Sequence, residues 1–252
     1  MELLTGAFLV LLTWLGALAV LSAAGLPVAL LGRRTTWPTI LRASIWWGYG
    51  LLLLVVLAMS LLGPLGSGWA LGGILASAAA LGTVGLLLAR RRGLREANRP
   101  RTAVLRWVPL AIALAIAGVY LAAAALGPVT NYDSGLYHLG AIRYQQEFGL
   151  IPGLANLYFP LAYGNSVIPM GAFLGSTPWG LDGFRLFNGL LLAMLATDTV
   201  LRIRSRRWTP GTWLLVVAVA FVWIPLVGLA DYWVTSPTSD SAVLVFTAVA
   251  AA

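Results

Sequence analysis

Residues 68–92 read GWALGGILASAAALGTVGLLLARRR: one long apolar run that meets three arginines, Arg90, Arg91 and Arg92, without a break. A helix crosses the hydrocarbon core of a bilayer with about 20 apolar residues. Gly68–Ala89 supplies them, and a surface helix of a soluble protein would carry a polar stripe that this run lacks. The same pattern repeats in both directions. Ala7–Leu31 is apolar and stops at Gly32-Arg33-Arg34, and Ser44–Leu62 runs to the turn Gly63-Pro64-Leu65-Gly66. Trp107–Leu126 closes at Gly127-Pro128, Gly183–Ile203 stops at Arg204-Ser205-Arg206-Arg207, and Gly211–Ala230 follows. Ser241–Ala252 begins a further apolar segment too short to cross. The expected fold is therefore all-α: a polytopic membrane helix bundle of six full spans plus the start of a seventh.

Composition agrees. Of 252 residues 60% are hydrophobic and 10% charged, against roughly 45–50% and about 25% in soluble domains. The N-terminal run lacks a basic leader and is too long for a cleaved signal segment, so it reads as a retained span. With no cysteine, disulfides, thiolate nucleophiles and cysteine metal sites are excluded. Every one of the 16 basic residues is arginine, which with the Ala/Gly/Leu richness points to a GC-rich bacterial genome.

The net charge of +8 does not mark a nucleic-acid protein, because the arginines follow the spans. Arg33, Arg34 and Arg42 lie between spans one and two. Arg90, Arg91, Arg92, Arg95, Arg99, Arg101 and Arg106 lie between three and four, and Arg202, Arg204, Arg206 and Arg207 between five and six. All these loops share one side, and positive loops stay cytoplasmic. The expected location is the bacterial plasma (inner) membrane, multi-pass, with the N-terminus outside, membrane lipids as contacts and no nucleic acid. Only Arg143 and Arg185 fall on the outer face. The apolar segment Val167–Thr177 is interrupted by Pro169, Gly171, Gly175 and Pro178. It reads as a re-entrant or interfacial piece, tolerated where it lines a protein cavity.

Three regions follow: residues 1–127 with four spans, an outside loop over 128–182, and residues 183–252 with spans five, six and the start of seven. The loop holds the only histidine. Within it, residues 134–148 have helical spacing, with Leu136, Leu139 and Ile142 on one face and Arg143 beside them to snorkel. Asp133, Tyr137, Tyr144 and Glu147 gather opposite, with His138 on the flank. The pattern predicts an amphipathic surface helix capped by Asp133 or Ser134. Each residue has a plain reading. Asp133 serves as a cap, His138 as an interfacial histidine, Arg143 as a lipid-phosphate contact, and Tyr132, Tyr137 and Tyr144 as belt aromatics. Asn156 and Asn165 sit among prolines and glycines, as sugar-binding amides or as turn formers. Asp231 and Asp240 share the outside face with Asp133, and Asp240 also suits a helix N-cap.

Tyr132-Asp133-Ser134-Gly135-Leu136-Tyr137-His138-Leu139 resembles the first outside-loop acidic motif of the C-type (GT-C) membrane glycosyltransferases. Pro152-Gly153-Leu154-Ala155-Asn156-Leu157 and Tyr163-Gly164-Asn165-Ser166 look like an uncharacterised bacterial branch of that superfamily, and Ser236-Pro237-Thr238-Ser239-Asp240 is similar to its second acidic site. The resemblance covers roughly residues 128–187 and 231–242. It implies inverting transfer of a sugar from a polyprenyl-phosphate donor to an acceptor outside the cytoplasm. Asp133 would then be the general base and Asp240 the second acid. No cofactor is certain; a divalent metal, magnesium or manganese, would sit on Asp133 and Asp240. Beyond the motif, His138 is a candidate catalytic partner of Asp133. Tyr132, Tyr137, Arg143, Asn156, Asn165 and Arg185 are candidate substrate contacts, the arginines facing the leaving phosphate. Three spans precede the motif where most members have one, and the chain stops inside a seventh span. Both departures lead to the expectation of the N-terminal part of a larger protein, or of a partner chain supplying further spans. A permease or lipid-carrier component and an O-antigen polymerase or ligase are the alternatives.

Overall fold

A computed structural model describes residues 2–32, 36–92, 108–162, 164–204, 208–223 and 233–252. Among them every regular element is helical. The chain forms α1 (Glu2–Leu31), α2 (Trp37–Leu62), α3 (Gly68–Arg92) and α4 (Val108–Ala125). The outer region carries α5 (Leu139–Phe148) and α6 (Val167–Leu174), followed by α7 (Arg185–Arg204), α8 (Pro210–Trp223) and α9 (Asp240–Ala251).

Four helices among the described residues are long and apolar enough to cross a membrane: Leu3–Leu31, Trp37–Leu62, Gly68–Arg92 and Arg185–Ile203. The expected count of six spans is therefore not reached. Leu114–Ala125 and Pro210–Phe221, in the expected fourth and sixth spans, are shorter apolar helices, as is Asp240–Ala251. Tyr163, Asp231 and the arginines at 33, 34, 95, 99, 101, 106, 206 and 207 lie outside the described residues.

Glycine sets how α1 and α2 meet. A Cβ on Gly25 would collide with the carbonyl of Ser44, and one on Gly48 with the carbonyl of Leu21. The two backbones touch, as small residues allow where lipid gives no hydrophobic drive to pair helices. α3 packs on α1 in the same direction, with Gly82 against Ala23 and Arg92 donating to the Gly32 carbonyl at 3.1 Å. α4 runs back, so that Leu126 reaches Gly6. α7 runs parallel to α1, with Gly189 against the Trp14 ring and the Trp14 indole donating to the Leu186 carbonyl at 2.9 Å.

These directions sort the bundle into two ends. The described basic residues Arg42, Arg90, Arg91, Arg92 and Arg202 gather at one. The 63–67 turn, the outer region, and the starts of α7 and α9 gather at the other. The outer region is fastened there by backbone. Leu65 and Gly66 donate to the carbonyls of Gln145 and Gln146 at 2.9 and 3.0 Å, and Leu150 donates to Ser60 at 2.7 Å. Gly149 takes φ 77° where a side chain would strike the carbonyls of Ser60 and Gly63. Only glycine satisfies both demands there. Every residue of α6 is buried, so the Pro- and Gly-broken segment is packed inside protein.

Candidate functional site

The acidic motif lies at the start of the outer helix, and its local structure differs from simple helical spacing. Ser134–His138 forms a wide π-type turn that runs directly into α5. Such a turn holds one extra residue, re-phasing the helix by about 100°, and is common at functional sites. The buried face is Ser134, His138, Ala141, Ile142 and Gln146, spaced as i, i+4, i+7, i+8 and i+12. Leu136, expected on the apolar face, is 44% exposed. Glu147, expected opposite Arg143, pairs with it at 3.1 Å.

Asp133 is not a cap. Its backbone is already helical and its carboxylate makes no capping bond. Neither does Ser134, whose hydroxyl is engaged elsewhere. The side-chain oxygen of Asn131 accepts from the Ser134 amide at 3.2 Å, as does the Asn131 carbonyl. The Asp133 carboxylate is left exposed at the surface.

The second acidic segment is brought against the first. The hydroxyls of Ser134 and Ser236, 102 residues apart, lie 2.7 Å from each other in a buried contact. Asn188 of α7 secures the segment from below. Its amide nitrogen is 2.9, 2.6 and 3.0 Å from the carbonyls of Trp233, Ser236 and Thr238. Asp240 opens α9 exposed, its amide reaching the Thr238 hydroxyl at 3.3 Å.

His138 is buried, 3% exposed, between these groups. Burial pushes its pKa below the ordinary value, because the imidazolium loses water; the charges of Asp133 and Asp240 oppose that shift without cancelling it. Burial thus favours the neutral form of the ring. Its Nδ1 has no hydrogen-bond partner among the described residues, and the Tyr137 ring packs on it with centroids 4.2 Å apart.

The remaining candidates divide. Arg143 and Arg185 line one cleft of about 410 Å³ with Gln146, Asp182 and the apolar Leu139, Ile142, Leu181 and Phe184. Arg185 is fixed there, donating to Asp182 at 2.9 Å and to the Gly127 carbonyl at 2.6 Å, with its guanidinium over the Phe184 ring. The buried amide nitrogen of Gln146 has no partner among the described residues. Tyr132 is exposed at the motif. Asn156 lies exposed in a short turn. Asn165 acts as a helix cap, its oxygen accepting from Val167 and Ile168 at 3.0 and 3.2 Å. Among the described residues no group of three or more His, Asp or Glu side chains gathers to hold a metal ion.

Sequence reasoning assigned no role to Asn131 and Asn188, and quoted Ser236 in the second acidic motif without its contact to Ser134. For Asn188 a signal existed: an amide in the apolar run Leu186-Phe187-Asn188-Gly189-Leu190, since a polar group inside a span needs a partner.

Fold and site together define an all-helical membrane protein with exposed Asp133 and Asp240 and a buried histidine in the polar region at one end of its bundle. The chain belongs to a family described as a domain of unknown function (DUF8201), whose model matches residues 8–252. No curated protein and no solved structure matches it.

Proposed function

We propose that this protein is a membrane glycosyltransferase moving a sugar from a polyprenyl-phosphate donor to an acceptor hydroxyl, with Asp133 as general base. The observation that supports the reading is the buried Ser134–Ser236 contact, which joins the segment of Asp133 to that of Asp240, with His138 buried on the same turn as Ser134. A carboxylate free of capping duty and exposed at the surface is available to an incoming hydroxyl. In the proposed step Asp133 takes the acceptor proton as the acceptor oxygen bonds to the anomeric carbon. The bond from that carbon to the phosphate oxygen breaks on the opposite face, inverting the centre, and polyprenyl phosphate leaves with the electron pair. Arg143 and Arg185, in the neighbouring cleft, face the charge that develops on the phosphate. His138 holds the carboxylate side of the site, and Asp240 orients the acceptor.

The reading includes a topology: six crossings, the Asp133 end outside and the arginine end in the cytoplasm. The permease alternative calls for ionisable groups along a path through the spans. Asp198, the acid within α7, is instead bonded to Arg42 and Arg202.

The test is transfer of radiolabelled sugar by the full-length protein from polyprenyl-phosphate and polyprenyl-diphosphate donors. The monophosphate is the expected substrate. Turnover of the diphosphate donor alone would favour the O-antigen polymerase or ligase class.

A further inference from the structure

Between α1 and α3, in the half of the bundle nearer the outer region, lies an apolar slot of about 260 Å³ that the proposed reaction does not use. Gly16 and Ala17 of α1 and Ile74 and Leu75 of α3 form its sides, and Met170 and Phe173 of α6 form its back wall. The small residues show how it arises. Toward the basic end α1 and α3 touch: a Cβ on Gly82 would come within 3.1 Å of Ala23, and one on Gly85 within 2.7 Å of Leu26. Nearer the outer region they part, and a Cβ on Gly16 would meet nothing within 4 Å. The slot is closed at its basic end and opens sideways. Leu75 on its side is 47% exposed, as are Leu12 and Leu15 on the neighbouring turns of α1 at 48% and 62%. Both helices are long and apolar enough to cross a membrane, so the opening faces lipid.

The lining decides what can enter. Among the described residues its polar side chains are Thr13 and Thr177, and both hydroxyls are engaged. Thr13 donates to the Leu9 carbonyl at 2.9 Å and accepts from the Trp179 indole at 3.0 Å. Thr177 donates to the Leu174 carbonyl at 2.5 Å. A buried water needs about two to four polar partners, and a polar ligand would give up its hydration for nothing in return. A hydrocarbon chain loses nothing by entering, and it gains close contacts that an empty slot forgoes. Met170 on the back wall is the side chain best able to adapt to such a chain. α6 also provides a marker. Every one of its residues is buried, so lipid packed around the outside of the bundle does not reach it. A chain that touches Met170 or Phe173 has entered the slot.

We propose that this slot holds one acyl chain of a bilayer phospholipid, which enters sideways between α1 and α3 and ends against α6. Two features favour the phospholipid. Its chains are the solvent into which the opening faces, and a slot that closes at the Gly82–Ala23 contact suits an unbranched chain end. The proposal is independent of the glycosyltransferase reading.

The test uses the full chain in phosphatidylcholine nanodiscs in which part of the lipid carries a diazirine near the end of one acyl chain. After illumination, labelled residues are located and quantified by mass spectrometry. Label is expected on Met170 or Phe173 as well as on Leu54, an exposed residue of α2 outside the slot. Gly16→Phe adds a ring where a Cβ meets open space, and the α6 label is expected to fall at least about tenfold while the Leu54 label stays. Gly16→Leu is expected to lower it less, and serves if the larger side chain reduces the melting temperature. Gly50→Phe makes the same change at an open position away from the slot and is expected to leave the α6 label in place. Absence of label on α6 while Leu54 is labelled overturns the proposal. So does an α6 label that both Gly16 variants leave unchanged, or that Gly50→Phe lowers equally. Displacement of the α6 label by a trace of polyprenyl phosphate would overturn it too, by making a prenyl chain the occupant.

Discussion

Asp133 keeps its carboxylate at the surface because Asn131 supplies the capping oxygen to the Ser134 amide. The sequence made the polar stretch legible and singled out Asp133 and His138. It assigned the cap to the wrong side chain, because the helix begins before Ser134 and its first turn is wide. It put His138 on the flank because it centred the buried face on Leu136 and Leu139, whereas the face that is buried, Ser134, His138, Ala141, Ile142 and Gln146, is mostly small and polar. Burial of His138 yields a prediction about pH. Its folded-state pKa lies below the unfolded value, so the unfolded chain takes up a proton that the folded chain refuses. The contribution of His138 to stability is full above about pH 6.5 and is lost as pH falls from there toward the folded pKa. Melting curves between pH 8 and pH 5 are expected to show a fall in wild type that is smaller in His138→Gln. Equal falls would mean that the ring is not held neutral.

Among elements, the helices were legible wherever apolar runs are long, as in α1, α2, α3 and α7. Their contacts were not, since Gly25 and Gly48 look like any other glycines until α1 and α2 are docked. The segment of residues 233–240 was placed on the Asp133 side by the spans, but its contacts were equally opaque. Its position rests on Asn188, a residue of α7 distant in sequence, and on the Ser134–Ser236 contact. Asn188→Leu leaves the carbonyls of Trp233, Ser236 and Thr238 without that donor. A loss of about 1–3 kcal/mol is expected from denaturant melts, with sugar transfer falling as Asp240 shifts away from Asp133. Unchanged stability would show that the amide is not what holds the segment. Asn165 marks the opposite case. Its place among prolines and glycines matched both a sugar contact and a turn former, and the bonds to Val167 and Ile168 show it instead as a helix cap.

At the scale of the whole molecule, the alternation of spans and arginine clusters already separated a basic end from an acidic end, and the helix directions keep Arg42, Arg92 and Arg202 away from Asp133 and Asp240. What the linear pattern could not give is depth. Arg42 and Arg202 turn inward onto Asp198, while Arg143 and Arg185 form a cleft wall with Gln146. Because the chain has no cysteine, sidedness can be read from single cysteines at exposed positions. Under the proposed topology Asn156→Cys is expected to react with an impermeant thiol reagent from outside and Thr36→Cys only after the membrane is opened; the reverse pattern would invert the topology. The central claim is that Asp133 is the base, and it is tested most directly by sugar transfer from a polyprenyl-phosphate donor in membranes carrying the full-length protein. Asp133→Asn, at wild-type membrane level and melting temperature, is expected to lower the rate about 10²–10⁴-fold. Transfer at the wild-type rate by that variant would contradict the assignment.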